Sequence, residues 1–65
     1  MNQDALRLQL INLLDFGMKL GAIAKNINIS TIDLSRFKNG HIYLTRENAE
    51  KLERLLGEIN IPESI

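Results

Sequence analysis

The sequence predicts an all-α fold, a compact domain of four helices followed by a short C-terminal turn. Apolar residues recur at spacings of three and four, the period of amphipathic helices. Residues that cap helix N-termini precede the periodic segments, and Gly or Asn, which tolerate a left-handed backbone, follow them. A chain of 65 residues supports a single domain (1–65) with a small core, so it gains stability from pairing with a second copy.

Helix 1 is predicted from Gln3 to Phe16, with Asn2 as its cap and Gly17 as its end. One face of this helix is apolar and would line the core: Leu6, Leu10, Leu13 and Leu14. Leu8 falls on the polar face, so we interpret it as an ordinary exposed leucine rather than a contact residue.

The segment 20–40 predicts two short helices that meet at a sharp turn, helix 2 at about 19–26 and helix 3 at about 31–38. Its apolar residues stand only where two crossed helices would touch: Ile23, Ala24, Ile27, Ile29, Leu34 and Phe37. Two short helices joined in this way form a helix-turn-helix, whose commonest use is to insert its second helix into the major groove of DNA.

Polar residues mark the ends of these two helices. Asn28 stands where the chain must turn sharply, and Asn adopts a left-handed backbone more readily than any residue except Gly. Ser30 is the predicted N-cap of helix 3, with Asp33 completing a variant capping box. Asn39 and Gly40 follow helix 3 and favour a left-handed C-terminal cap.

Helix 4 is predicted at about 46–56, capped by Thr45 and stopped by Gly57. Ala49, Leu52 and Leu56 would form its inward stripe. The tail that follows is unusually apolar for a free end, and Pro62 suits the first position of a short helical turn.

Charge is unevenly distributed along a chain whose formal net charge is zero. Residues 1–18 carry −1, residues 19–46 carry +4 and residues 47–65 carry −3. A basic middle segment beside acidic flanks favours electrostatic steering toward a polyanion, although a neutral domain should bind non-specific DNA weakly.

Several classes of function are disfavoured. The chain has no Cys, which indicates a reducing cytoplasm and no thiolate chemistry. We identify no signal peptide and no apolar run near the length of a membrane helix, so no membrane partner is expected. The single His41 has no metal-ligand partner at a suitable spacing, and no nucleophile–base pair or phosphate loop is present. We therefore expect no enzyme, cofactor or metal, and no small-molecule ligand.

The segment 20–40 resembles the helix-turn-helix of the lambda-repressor-like (Cro/C1, XRE-type) family of phage and bacterial regulators. The resemblance extends over roughly residues 5–61 and rests mainly on these residues: Ala24, Ile29, Leu34, Phe37, Asn39 and Gly40. Asp15 to Met18 resembles the end of the family's first helix, and Thr45 to Gly57 resembles its fourth. Three positions depart from the family pattern: Asn28 replaces a turn glycine, Lys19 replaces a helix cap, and Leu20 occupies a position often held by a phosphate-binding Gln.

The resemblance implies a transcriptional regulator that binds double-stranded DNA, a palindromic operator, as a homodimer. It implies base contacts by side chains of helix 3: Thr31, Ile32, Ser35 and Arg36. It implies contacts with the DNA backbone from the surrounding segments: Lys19, Lys25, Ser30, Lys38, Asn39, His41, Tyr43 and Arg46. It also implies that the tail is a stub of a fifth helix.

Some residues permit a plainer interpretation. Arg36 is either a base or phosphate contact or a solvated surface charge. Ile32 either packs on a thymine methyl or completes the core, and Tyr43 is either a backbone contact or a packed aromatic. At the level of function, the alternative is a protein-interaction module of the same fold, such as an antirepressor that binds another regulatory protein through Leu8 and the tail. Lys19 and Leu20 favour that alternative slightly.

Dimerisation is predicted through the C-terminal segment. Four apolar residues there have no evident use within the monomer: Leu55, Ile59, Ile61 and Ile65. The recognition helices of a symmetric dimer must lie ~34 Å apart, so the pairing surface must lie beyond helix 3. The alternative is that Ile59 and Ile61 fold back to close the core of one monomer.

Overall fold

The computed structural model describes residues 2–58, which form four α-helices and no β-strand. The helices are α1 (Gln3–Phe16), α2 (Leu20–Asn26), α3 (Thr31–Lys38) and α4 (Arg46–Glu58). Helix α2 packs against α3, and α1 packs against both α3 and α4. The predicted all-α class is therefore confirmed. The predicted C-terminal turn at Pro62 and three of the predicted dimer residues, Ile59, Ile61 and Ile65, lie outside the described residues.

The core is made of apolar side chains from all four helices and the two later turns. Its buried members are Leu6, Leu10, Leu13, Ile23, Ala24, Ile29, Leu34, Phe37, Leu44, Ala49, Leu52 and Leu56. Helical spacing predicts all of these except two: Ile29, which was expected at the corner between helices 2 and 3, and Leu44, which the sequence did not indicate. Burying a side chain the size of Leu or Phe contributes about 1.5–3 kcal/mol, so these residues supply most of the driving force for folding.

The first three helices end in the same way, with a left-handed residue one or two positions after the last helical residue. The left-handed residue is Gly17 (φ 126°) after α1, Asn28 (φ 56°) after α2 and Gly40 (φ 82°) after α3. Its own N–H and the next N–H bond back to two carbonyls of the last helical turn, the hydrogen-bond pattern of a Schellman motif. After α2, for example, Asn28 N–H donates to Lys25 O at 3.3 Å and Ile29 N–H donates to Ala24 O at 2.9 Å. The predicted left-handed turn at Asn28 is confirmed.

Three helix N-termini are capped by the residues that the sequence indicated. Asn2 Oδ1 accepts the N–H groups of Asp4 and Ala5, and Thr45 Oγ1 accepts the N–H of Asn48. Ser30 Oγ accepts the Asp33 N–H at 3.4 Å. The Asp33 carboxylate does not bond back to Ser30, so only one half of the predicted capping box is formed.

Two helix boundaries differ from the prediction. Lys19 lies before α2 with an extended backbone (φ −93°, ψ 137°) and its side chain makes no cap bond, so α2 begins at Leu20. Gly57 does not stop α4, which continues to Glu58, because glycine ends a helix only where the chain turns left-handed. Leu55 also differs from the prediction. It was expected to be free for a dimer contact, but it is half-buried and packs against the core of the monomer.

Candidate functional site

Helix α3 presents two chemically different faces. Leu34 and Phe37 are fully buried against the other helices. On the opposite side Thr31, Ile32 and Arg36 are exposed, and Ser35 is half-buried between the two faces. Because residues four apart share one side of a helix, 31, 32, 35 and 36 form one continuous surface.

Ile32 is the most informative residue of this surface. It is 64% exposed, so the alternative that it completes the core is wrong. A large β-branched side chain gains nothing from this exposure, whereas an apolar partner would bury it. Its neighbours Thr31, Ser35 and Arg36 make no side-chain hydrogen bond within residues 2–58. Their donors and acceptors are therefore available to a ligand.

Most cations predicted to contact the bases or the backbone of DNA have no acidic partner within the described part of the chain. Lys19, Lys25, Arg36 and Lys38 form no ion pair there, whereas Arg46 Nε lies 3.2 Å from Glu50 Oε1. The Arg46 side chain is 93% exposed, and an exposed pair of this spacing contributes only about 0.3–0.5 kcal/mol. Arg46 can therefore exchange Glu50 for another anion at little cost.

The loop between α3 and α4 carries the remaining predicted contacts. Asn39, His41 and Tyr43 are exposed, while Ile42 and Leu44 anchor the loop on the core. The Tyr43 ring is 64% exposed, and its hydroxyl donates to Asp4 Oδ1 at 3.4 Å. Tyr43 is thus a surface aromatic that is restrained by one hydrogen bond rather than a core residue.

The first two turns of α1 bond to this loop and to the C-terminal end of α3, a role that the sequence did not indicate. Gln3 bonds Leu44 twice, accepting its N–H at 2.8 Å and donating to its carbonyl at 2.9 Å. Arg7 donates from Nε to Phe37 O at 2.7 Å and from Nη1 to Asp4 Oδ1 at 3.0 Å. The only available signal was that Gln3 and Arg7 lie four residues apart at the edge of the apolar face of α1.

The exposed apolar side chains fall into two groups. Ile32 and Tyr43 belong to the surface formed by α3 and its following loop. Leu8 (62% exposed), Phe16 (64%) and Met18 (38%) lie on α1 and just after it. Leu8 is exposed, as its position on the polar face predicted, but the exposure of Phe16 was not predicted.

Comparison with known proteins gives no family for this chain: no family model, curated protein or solved structure matches it. Between residues 2 and 58, no group of three metal-ligating side chains occurs. No helix in that range is both long and apolar enough to cross a bilayer. The structure thus defines the class as an all-helical domain of four helices, with a polar and basic surface on α3 and the loop after it.

Proposed function

We propose that the protein is a sequence-specific DNA-binding transcriptional regulator of the Cro/C1 repressor type, from a phage or mobile element. In this proposal α2 and α3 form a lambda-repressor-like helix-turn-helix, and α3 enters the major groove. The observation that carries the proposal is the outward face of α3, where the side chains of Thr31, Ile32 and Arg36 are exposed and form no hydrogen bond or ion pair with the described residues.

The chemistry of this face suits the edges of base pairs. The Arg36 guanidinium can donate two parallel hydrogen bonds to G O6 and N7, and Ile32 can cover a thymine methyl. Thr31 and Ser35 hydroxyls can donate or accept at either purine. Lys38 lies on α3, and Lys19, Lys25 and Arg46 lie on or just before the helices next to it in the chain; their positive charge favours contact with flanking phosphates.

A palindromic operator requires two copies of the chain. Half-sites on one face of the duplex lie ~34 Å apart, whereas the described part of the chain measures 31 Å along its longest axis and carries one α3. One copy therefore cannot fill both half-sites. We propose that a homodimer does so, paired through the segment from Leu55 to Ile65, and that it acts in the cytoplasm.

Selection of duplexes from a random-sequence pool by the purified chain tests the proposal. An enriched, two-fold symmetric sequence is expected. Arg36→Ala should then lower the discrimination between that sequence and a scrambled one by ~1–3 kcal/mol. Lys38→Ala should weaken binding to both duplexes about equally. Arg54→Ala is the matched control, because Arg54 is exposed on α4 and makes no ion pair with the described residues.

The dependence of binding on salt supplies a second measurement. Removing a side chain that neutralises one phosphate should reduce the slope of log K against log salt by ~0.9, and in a dimer each substitution acts at two phosphates. The proposal would be contradicted if no sequence is enriched from the pool and the binding constant for DNA does not change with salt concentration.

A second candidate function is a protein-interaction module, such as an antirepressor that binds another regulator. The observation that favours it is the exposure of Leu8 and Phe16 on the outer side of α1, where apolar side chains gain by being covered. Leu8→Ser with Phe16→Ser would then abolish binding to the partner protein while leaving binding to the selected DNA unchanged.

A further inference from the structure

Arg7 is the most heavily engaged charged residue between residues 2 and 58. Its guanidinium carbon lies 5.1 Å from the centre of the Phe37 ring and 5.6 Å from that of the Tyr43 ring. Its Nε donates to Phe37 O at 2.7 Å, and its Nη1 pairs with Asp4 at 3.0 Å. Only 19% of the side chain is exposed. A single side chain on α1 thus contacts both α3 and the loop that follows it.

These contacts act at the C-terminal end of α3, where no other side chain within the described residues forms a hydrogen bond to the helix. Ser30 caps the N-terminal end, whereas at the other end Phe37 O accepts hydrogen bonds from Gly40 N–H and Arg7 Nε. The Arg7 cation also complements the negative end of the helix dipole. The hydrogen bond is short and charge-assisted, so it restrains the position of this helix end strongly.

The same side chain restrains Tyr43. The Asp4 carboxylate accepts hydrogen bonds from both Arg7 and the Tyr43 hydroxyl, and the guanidinium lies over the Tyr43 ring. Because the guanidinium is planar and bonds in fixed directions, it couples Phe37, Asp4 and Tyr43 geometrically. A lysine would keep the charge but would lose this geometry.

We propose that Arg7 is a positioning residue for DNA recognition, holding the C-terminal end of α3 and Tyr43 in the arrangement that meets the duplex. This inference rests on the proposed function. Arg7 acts through Phe37 and Tyr43, so it neutralises no phosphate itself. Its removal should therefore reduce the affinity for the operator without changing the number of counterions released.

The experiment compares wild type, Arg7→Lys, Arg7→Met and the control Arg54→Met on the selected operator and on a scrambled duplex. Arg54→Met removes the same charge from an exposed position on α4. All measurements are made below the melting transition of each variant, as determined by circular dichroism. Tyr43 is the only Tyr and the chain has no Trp, so intrinsic fluorescence of the free protein reports its environment directly.

We expect both Arg7 variants to bind the operator with an affinity about ten-fold or more lower than that of Arg54→Met. Losing a charge-assisted hydrogen bond lowers the population of the arrangement that meets the duplex, and binding must restore that arrangement. We also expect an altered Tyr43 emission and a salt slope equal to that of wild type. Arg7→Lys keeps the test decisive if Arg7→Met fails to fold.

Three results would overturn the inference. Operator affinities of the Arg7 variants within two-fold of Arg54→Met would show that Arg7 has no positioning role. A salt slope reduced as in Lys38→Ala would show that Arg7 contacts phosphate instead. A wild-type chain that selects no DNA would refute the proposed function itself, an outcome distinct from the other two.

Discussion

Replacing Asn28 tests the left-handed turn between α2 and α3 directly. Asn28 is exposed and its backbone has φ 56°, so substitution there changes the backbone energy without disturbing the core. Asn28→Gly should be nearly neutral, because glycine relieves the strain of a Cβ but loses ~0.5–1 kcal/mol of chain entropy on folding. Asn28→Val should cost ~1–2 kcal/mol, since a β-branched side chain crowds the carbonyl in this conformation.

Thermal unfolding followed by circular dichroism measures these differences. For a domain of this size 1 kcal/mol shifts Tm by roughly 4–8 °C, so Asn28→Val should lower Tm by roughly 4–16 °C. Asn26→Val is the matched control, because Asn26 is exposed at the end of α2 in a right-handed backbone and Asn and Val have similar helix propensities. Equal Tm values for Asn28→Val and Asn26→Val, or a lower Tm for Asn28→Gly than for Asn28→Val, would refute the reasoning.

Two further predictions concern the N-terminal helix and the C-terminal segment. Gln3→Ala removes both hydrogen bonds to Leu44, so it should lower the free energy of unfolding by ~1–3 kcal/mol and accelerate amide hydrogen exchange at Leu44. The control Gln9→Ala, at an exposed position, should change neither quantity. Unchanged exchange in Gln3→Ala would show that Gln3 does not hold Leu44 in place. Ile61→Asp should convert the proposed dimer into a monomer of unchanged helicity, because it introduces a charge into the proposed pairing surface. If the wild-type chain sediments as a monomer at tens of micromolar, both free and on DNA, the proposed dimer is wrong.

The sequence predicted those features whose signals are local. The bounds of α1 and α3 agree with the prediction because Asn2, Ser30, Gly17 and Gly40 each act on the adjoining turn. The core followed from helical periodicity for the same reason.

Features that depend on distant residues could not be predicted. Gln3 forms hydrogen bonds with Leu44, 41 positions away, and Arg7 forms one with Phe37, 30 positions away. The residues next to Gln3 and Arg7 in the sequence do not indicate either interaction. Ile32 was ambiguous because position 32 is compatible with either the edge of the core or the surface of α3. The prediction for Gly57 was wrong because glycine is compatible with both a helix end and a continuing helix, and the residue type alone does not determine which backbone conformation it adopts.

The outward side chains of α3 have an evolutionary consequence. Thr31, Ile32 and Arg36 are exposed and make no side-chain hydrogen bond or ion pair within residues 2–58, so replacing them changes folding stability by only about 0.5 kcal/mol or less. Leu34 and Phe37, on the other side of the same helix, are fully buried, so replacing either of them lowers the folding stability much more. If α3 reads DNA as proposed, descendants of this chain can therefore acquire new sequence preferences through single substitutions at those three positions, and divergence between copies should accumulate there before it reaches the core.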